Sequence, residues 1–419
     1  MATIVSCPHF PACSGCNSIG IDYAEQLEAK LCAVRGLFRR SSLRSVEATP
    51  IQSIAASPNP GAYRNRVKLV PARSISSRSP KRWATPAGTG RIILGLYKAG
   101  SHEVIDIPGC PTQMDGLNRA VEVIRTAIEK SSVCLYDEVQ HTGDLRFVTA
   151  RQGVATGEIL IGFVTRTEEF PCGDQLACYV MNHCNGTVGV VQNINPKKGN
   201  VIFGSMNRLL AGRDHLEEVI CGTRIRLGVT SFFQVNTAVA EKAYESILAY
   251  VTCKALAGEP PVAPGHVTLL DLYAGVGTIG LVAARHVRQV YGIEEVGEAV
   301  GFARAAAHVN GVDNAVFQEG LVEQRLPQLT DRLRKEGVDR NRLVVVVNPP
   351  RKGLDARVIE QLLEAGPVRI AYLSCAPDTL LRDLVRFENG GYRVAHVELF
   401  DMFPQTGQVE TLAIIASNG

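Results

Sequence analysis

Leu269-Leu270-Asp271-Leu272-Tyr273-Ala274-Gly275-Val276-Gly277-Thr278-Ile279-Gly280 passes from an apolar run into a turn with three glycines and then into a helical pattern. Strand, glycine turn and helix in that order let backbone approach a nucleotide closely. Outward from this stretch, apolar runs at 267–272, 289–293, 315–318, 343–347 and 369–373 alternate with segments of helical length and period. The alternation predicts a doubly wound α/β domain with a largely parallel sheet, starting near Leu227. Its end, 392–400 and 409–416 around a turn at 404–407, reads as a closing hairpin.

Glu294 closes the second of these strands, where a carboxylate can hold both ribose hydroxyls of a nucleoside. The turn and this acid fit a dinucleotide as well as S-adenosylmethionine (SAM). Val347-Asn348-Pro349-Pro350-Arg351-Lys352-Gly353 separates the two. Two prolines remove two backbone donors and stiffen the turn that aims Asn348. Nicotinamide chemistry has no use for such a wall, whereas Asn-Pro-Pro after a strand looks like methyltransferases that act on planar nucleobases. In Ile370-Ala371-Tyr372-Leu373-Ser374-Cys375-Ala376-Pro377, a lone thiol stands where a strand ends and a helix begins, with Pro377 suited to the first helical turn. A helix N-terminus is expected to lower the pKa of that thiol, although a cysteine taken alone is more often inert core.

With 419 residues, 46% hydrophobic and 20% charged, the chain suits a globular protein of about two or three domains. No run approaches the ~18–20 apolar residues of a membrane span, and no signal peptide is evident. The expected compartment is therefore the cytoplasm, where its 12 cysteines stay reduced or bind metal. Net charge is only +3, but residues 1–120 hold 15 Lys/Arg against 7 Asp/Glu, so this third of the chain is expected to face a polyanion.

That region opens with Cys7-Pro8-His9-Phe10-Pro11-Ala12-Cys13-Ser14-Gly15-Cys16. Three thiols in a turn-rich loop suit zinc or an iron–sulfur cluster, and the spacing does not choose between them. Cys110, in another Pro/Gly turn, is the best fourth ligand; His9 is a strained alternative. A helix is expected from Asp22, with basic Arg35, Arg39, Arg40 and Arg44 towards its end. Tyr63-Arg64-Asn65-Arg66-Val67-Lys68-Leu69-Val70 reads as a strand with a cationic face, and the loop 74–90 offers Lys81, Arg82 and Trp83 for phosphate contact and stacking. Residues 140–225 read as β-rich, with strands at 145–151, 158–165 and 187–194 and a helix at 175–184 between the last two. Cys172, Cys178, Cys184 and Cys221 there read as packing.

Taken together these motifs resemble the RNA uracil-C5 methyltransferases, over nearly the whole length. The likeness rests on the cysteine loop, Tyr63-Arg64-Asn65, Ser231-Phe232-Phe233-Gln234-Val235-Asn236, the glycine turn at 271–280, Asn348-Pro349-Pro350-Arg351, Ser374-Cys375, and Asp401-Met402-Phe403-Pro404-Gln405-Thr406 with Glu410. The resemblance implies a C-terminal Rossmann-like, SAM-dependent methyltransferase domain at 227–419, a central β-rich domain at 121–226, and an iron–sulfur, RNA-facing region at 1–120. It implies a [4Fe-4S] cluster on Cys7, Cys13, Cys16 and Cys110, SAM contacts from Gln234, Tyr273, Glu294 and Asn348, a nucleophile at Cys375 and a base at Glu410. A thiolate adding to C6 of uracil would activate C5, and a base would then remove the C5 proton. The target is expected to be a flipped or single-stranded uridine, met by a monomer with no membrane partner.

Two positions depart from the family's habit: Ala376 where Asn is usual and Gln408 where His is common. Asn348, where many members have Asp, looks like the subgroup that modifies 23S ribosomal RNA. The cluster cysteines, and the small space before them for an N-terminal RNA-binding barrel, point the same way. The alternatives are a transfer-RNA enzyme of the same chemistry, an iron–sulfur RNA-binding protein without turnover, and an amino-methyltransferase that would need no thiol.

Overall fold

Leu343-Val344-Val345-Val346-Val347 forms a strand with every residue buried, as a parallel strand covered on both faces must be. In the computed structural model, which describes residues 3–45, 51, 53–74, 90–199, 201–252 and 265–418, it lies within an eight-stranded sheet. Across that sheet the strands run Ile54–Ala55, Tyr392–Phe400, Glu410–Ser417, Arg369–Ser374, Leu343–Val347, Thr268–Leu272, Gln289–Glu294 and Ala315–Glu319. The pairings are parallel except the two made by Glu410–Ser417. The five alternating strands and the closing hairpin expected from the apolar runs are thus present.

From Thr268–Leu272 the chain moves outward through two strands, then returns to lay Leu343–Val347 on the other side. The crevice at such a reversal is where open α/β sheets bind ligands. Leu272 and Val347 are registered partners, so Tyr273 and Asn348 emerge side by side at its mouth. The glycines of the turn have separate reasons. Gly277 holds φ +76, and a Cβ there would lie 2.7 Å from the Phe317 ring. Gly280 packs so closely on the first strand that its N–H donates to Asp271 Oδ2 at 2.9 Å, and a Cβ would meet the same oxygen at 2.9 Å.

Two compact groups of residues are distinguished: Ala24–Pro58, Val219–Arg226 and Ser231–Gly419 form the one just described, and Met1–Tyr23, Asn59–Glu218 and Leu227–Thr230 form the other. The second is built on a seven-stranded sheet ordered Val104–Asp106, Ile92–Tyr97, Arg66–Arg73, Leu145–Gln152, Ile159–Thr165, Thr187–Ile194 and Met206–Gly212. Helices Asp115–Glu129 and Gly173–His183 contribute Leu117, Ile124, Leu176 and Val180 to its core. This grouping differs from a division at residue 120. Arg66–Arg73 pairs with Leu145–Gln152, so segments 1–120 and 121–226 share one sheet. The helix expected from Asp22 spans Tyr23–Arg40 and clusters with the larger sheet.

Of the cysteines read as packing, Cys184 is buried, Cys172 and Cys221 are half-buried, and Cys178 is exposed. Lys81, Arg82 and Trp83 lie outside the described residues. Among the described residues, no helix is long and apolar enough to cross a membrane.

Candidate active site

Ser374 and Thr411 are registered partners in the antiparallel pairing of Arg369–Ser374 with Glu410–Ser417. One step further along each strand brings Cys375 opposite Glu410. The carboxyl is 2% exposed and its strand is flanked on both sides, so it is not the edge-strand surface acid that local sequence alone would suggest. Burial pushes the Glu410 carboxyl up to about 8, against the opposing pull of the Arg351 guanidinium.

Cys375 is half-buried. Burial first, and the Glu410 charge second, push its thiol up, while a hydrogen bond from Arg351 and the Arg351 charge act downward. The expected lowering by the helix end is therefore corrected. Pro377–Asn389 does begin two residues later, but removing the thiolate from water outweighs it. The residue that favours the thiolate is Arg351, to which the sequence motif assigned no role. Its only signal in the sequence was a cation directly after the Asn-Pro-Pro wall.

Cys375 and Glu410 line a cavity of about 560 Å³ whose walls also include Gln234, Tyr273, Glu294 and Asn348. All six side chains singled out for the C-terminal domain therefore meet in one place. Gln234 is buried, at 3% exposure, just before helix Thr237–Thr252. Tyr273 holds a left-handed φ of +63, which turns the chain sharply out of its strand. Glu294 ties the glycine turn down: its Oε2 accepts from Gly275 N at 2.9 Å and its Oε1 from Val296 N at 2.9 Å, leaving lone pairs for hydroxyl donors. Gly275 lines the cavity with open space where a side chain would be. Volume, bare backbone and a ribose-competent acid fit a nucleoside cofactor such as SAM. Phe232, 63% exposed, and Phe403 add aromatic surface to the same cavity.

The family model described as tRNA (uracil-5-)-methyltransferase matches residues 207–417. The chain belongs to that family. Curated RNA methyltransferases of Lactiplantibacillus plantarum and Gloeobacter violaceus are 35% and 36% identical to it, over 94% and 98% of this chain and 79% and 82% of theirs. The crystal structure of the Pyrococcus abyssi tRNA (uracil-54, C5)-methyltransferase with S-adenosyl-L-homocysteine shares the fold, with a TM-score of 0.71 at 24% identity over 97% of this chain and 86% of that one. The protein is thus a SAM-dependent RNA methyltransferase of the uracil-5 type.

Against this family's habit, Ala376 occupies the N-cap of Pro377–Asn389 and offers no side-chain cap. Asn at this place would satisfy one of the helix's first-turn donors. Here the Ala376 N–H instead donates to Ser374 Oγ at 3.1 Å, which closes the turn around Cys375. Gln408 is exposed, and its N–H donates to Thr406 Oγ1 at 3.2 Å.

The cysteines expected to hold a cluster belong to the other unit. Cys7, Cys13, Cys16 and Cys110 all line one cavity of about 100 Å³. His9 lines the same cavity, and its Nε2 donates to the Pro108 carbonyl at 2.8 Å. Burial pushes the Cys16 thiol up to about 11 and raises Cys13, and the neighbouring cysteines add to both shifts. Such thiols resist ionisation until a bound cation compensates them. Among the described residues, no three His, Cys, Asp or Glu side chains come together as ligands of a metal ion, so a metal site is not shown.

Proposed function

We propose that this chain converts uridine to 5-methyluridine in 23S ribosomal RNA, with Cys375 as nucleophile and Glu410 as base. The observation that carries the reading is their opposition across adjacent strands, in the cavity that also contains Gln234, Tyr273, Glu294 and Asn348. C5 of uracil is too weak a nucleophile to take a methyl group unaided. Arg351, beside Cys375, favours the thiolate, which adds to C6 and pushes its electron pair through C5 towards the O4 carbonyl. Bound SAM supplies an electrophilic methyl group for C5, and Gln234, Tyr273, Glu294 and Asn348 are the residues that would hold it. C5 then carries both hydrogen and methyl. Glu410 takes the C5 proton, the C5–C6 double bond re-forms and the Cys375 thiolate leaves. A stacked base could not reach Cys375, so the substrate is a flipped or single-stranded uridine.

The choice of ribosomal RNA rests on Asn348 and the four N-terminal cysteines, and the choice of enzyme over passive binder on the Cys375–Glu410 pair. One experiment addresses both: SAM is added with 5-fluorouridine-containing fragments of 23S ribosomal RNA or transfer RNA. Fluorine at C5 cannot be removed by a base, so a covalent adduct on the Cys375 peptide is expected with the ribosomal fragment. Adduct with transfer RNA alone moves the substrate; adduct with neither RNA sinks the uracil-C5 reading.

For the N-terminal cysteines we propose a [4Fe-4S] cluster, in a protein that acts as a cytoplasmic monomer. A single zinc, with Zn–S bonds of about 2.3 Å, needs its thiolates nearly in contact. A cubane gives each cysteine its own iron and spreads them around a cavity. Anaerobically prepared protein should be brown with about four irons per chain, and Cys13→Ser or Cys16→Ser should bleach it. Colourless protein carrying one zinc would refute the assignment.

A further inference from the structure

Residues 401–409 join strand Tyr392–Phe400 to strand Glu410–Ser417. This loop carries Phe403 into the active-site cavity and delivers Glu410. Two side chains one turn apart on helix Tyr23–Arg40 hold it. Lys30 Nζ lies 2.5 Å from Asp401 Oδ1 and donates to the Phe403 carbonyl at 3.0 Å. Gln26 grips Gln405 twice, its Nε2 donating to Gln405 Oε1 at 3.1 Å and its Oε1 accepting from Gln405 N at 3.0 Å. Gln26, Lys30, Asp401 and Gln405 are each 4% exposed or less. Gln405 also holds φ +67, a left-handed conformation that a side-chain-bearing residue keeps only when its surroundings impose it.

A buried lysine–aspartate pair is a poor source of stability, because well-packed apolar residues of similar volume serve as well. What it adds is direction, since charged hydrogen bonds fix a geometry that apolar contacts leave loose. The grip falls on the carbonyl of Phe403 and on Asp401 and Gln405, two positions either side of it, within the segment that ends at the proposed base.

We propose that Lys30 and Gln26 are positioning residues for methyl transfer, fixing the 401–406 loop so that Phe403 and Glu410 keep their places facing Cys375. The proposal rests on the roles given above to Cys375 and Glu410, and its test has one arm that needs no RNA. In the full-length chain, Gln26→Leu and Lys30→Met are compared with wild type for alkylation of Cys375 by iodoacetamide across a pH series, read by peptide mass spectrometry. Withdrawal of the Glu410 charge should lower the alkylation midpoint in both variants.

In the second arm, turnover on uridine RNA should fall about 10- to 100-fold, the scale set by displacing reacting groups by about 1 Å. KM for SAM should hold, and a covalent protein–RNA adduct should accumulate because proton removal is the slowed step. Lys30→Met leaves Asp401 buried without its cation, so Lys30→Met/Asp401→Leu is included as a variant that folds without either charge and should remain slow. Wild-type alkylation and turnover in Gln26→Leu, wild-type turnover in the double variant, or losses that merely track melting temperature would each overturn the proposal. Failure of wild type to act on uridine would instead refute the uracil-C5 reading, with the alkylation arm still deciding the clamp.

Discussion

Cys375→Ser should abolish uridine methylation, with turnover down by about 10⁴-fold or more. In the proposed mechanism the sulfur acts first as the nucleophile that bonds to C6 and later as the leaving group, and a serine hydroxyl near neutral pH is poor at both. The effect should be large because every later step of the proposed route passes through the bond that this thiol makes. Burial and Glu410 raise the Cys375 thiol above its ordinary value, and Arg351 acts against them. Methyl incorporation measured alongside SAM binding separates the outcomes. Retained SAM affinity with no incorporation and no 5-fluorouridine adduct is expected. Turnover within about tenfold of wild type would remove Cys375 from the mechanism.

Glu410→Gln should stall the reaction after methyl transfer. Glutamine cannot accept the C5 proton, so turnover should fall about 10²- to 10⁴-fold while methylated RNA stays attached to the protein through Cys375. The pH dependence follows from the carboxyl, pushed up to about 8 in the folded chain. Wild-type turnover should rise with pH through about 8 as the base loses its proton, and the residual rate of Glu410→Gln should lack that limb. Stability moves the opposite way. Below the unfolded carboxyl pKa of about 4.3 the group is neutral in both states. As pH rises from there through about 8, the unfolded chain gives up its proton first, and stability conferred by the neutral carboxyl is lost. Glu410→Gln keeps a neutral side chain throughout, so its melting temperature should gain on wild type between about pH 5 and about pH 9. A variant that released product freely, or lost stability with rising pH as wild type does, would show that Glu410 is not this base.

Much of the fold was legible because the strands of the larger sheet are covered on both faces. Runs such as Val344-Val345-Val346-Val347 declare themselves without any partner. The cofactor crevice was legible for a related reason: Gly277 and Gly280 answer to contacts with Phe317 and Asp271 that no side chain fits. The meeting of Cys375 with Glu410 was not readable from local pattern, since it depends on the register of a strand returning antiparallel. Resemblance to a family supplied the pair; geometry explains it. The thiol's raised pKa was hidden for the same reason, because burial by distant segments outweighs the adjacent helix end. Arg351 was visible as a letter in a motif, but not as a group reaching the thiol. The grouping of 1–120 with 121–226 was hidden by the pairing of Arg66–Arg73 with Leu145–Gln152, two segments far apart in sequence.

The strand Glu410–Ser417 comes last of the eight in chain order, yet it sits third across the sheet, between Tyr392–Phe400 and Arg369–Ser374. A chain emerging from the ribosome can lay down the parallel strands and their glycine turn while that slot stays open. Its two neighbours then present unpaired backbone edges, the most adhesive surface a half-made sheet can show. Filling the slot seals those edges and seats Glu410 opposite Cys375 in the same movement. Nascent protein that stops short of Glu410 therefore carries the thiol beside an open slot, without the carboxyl that is to face it.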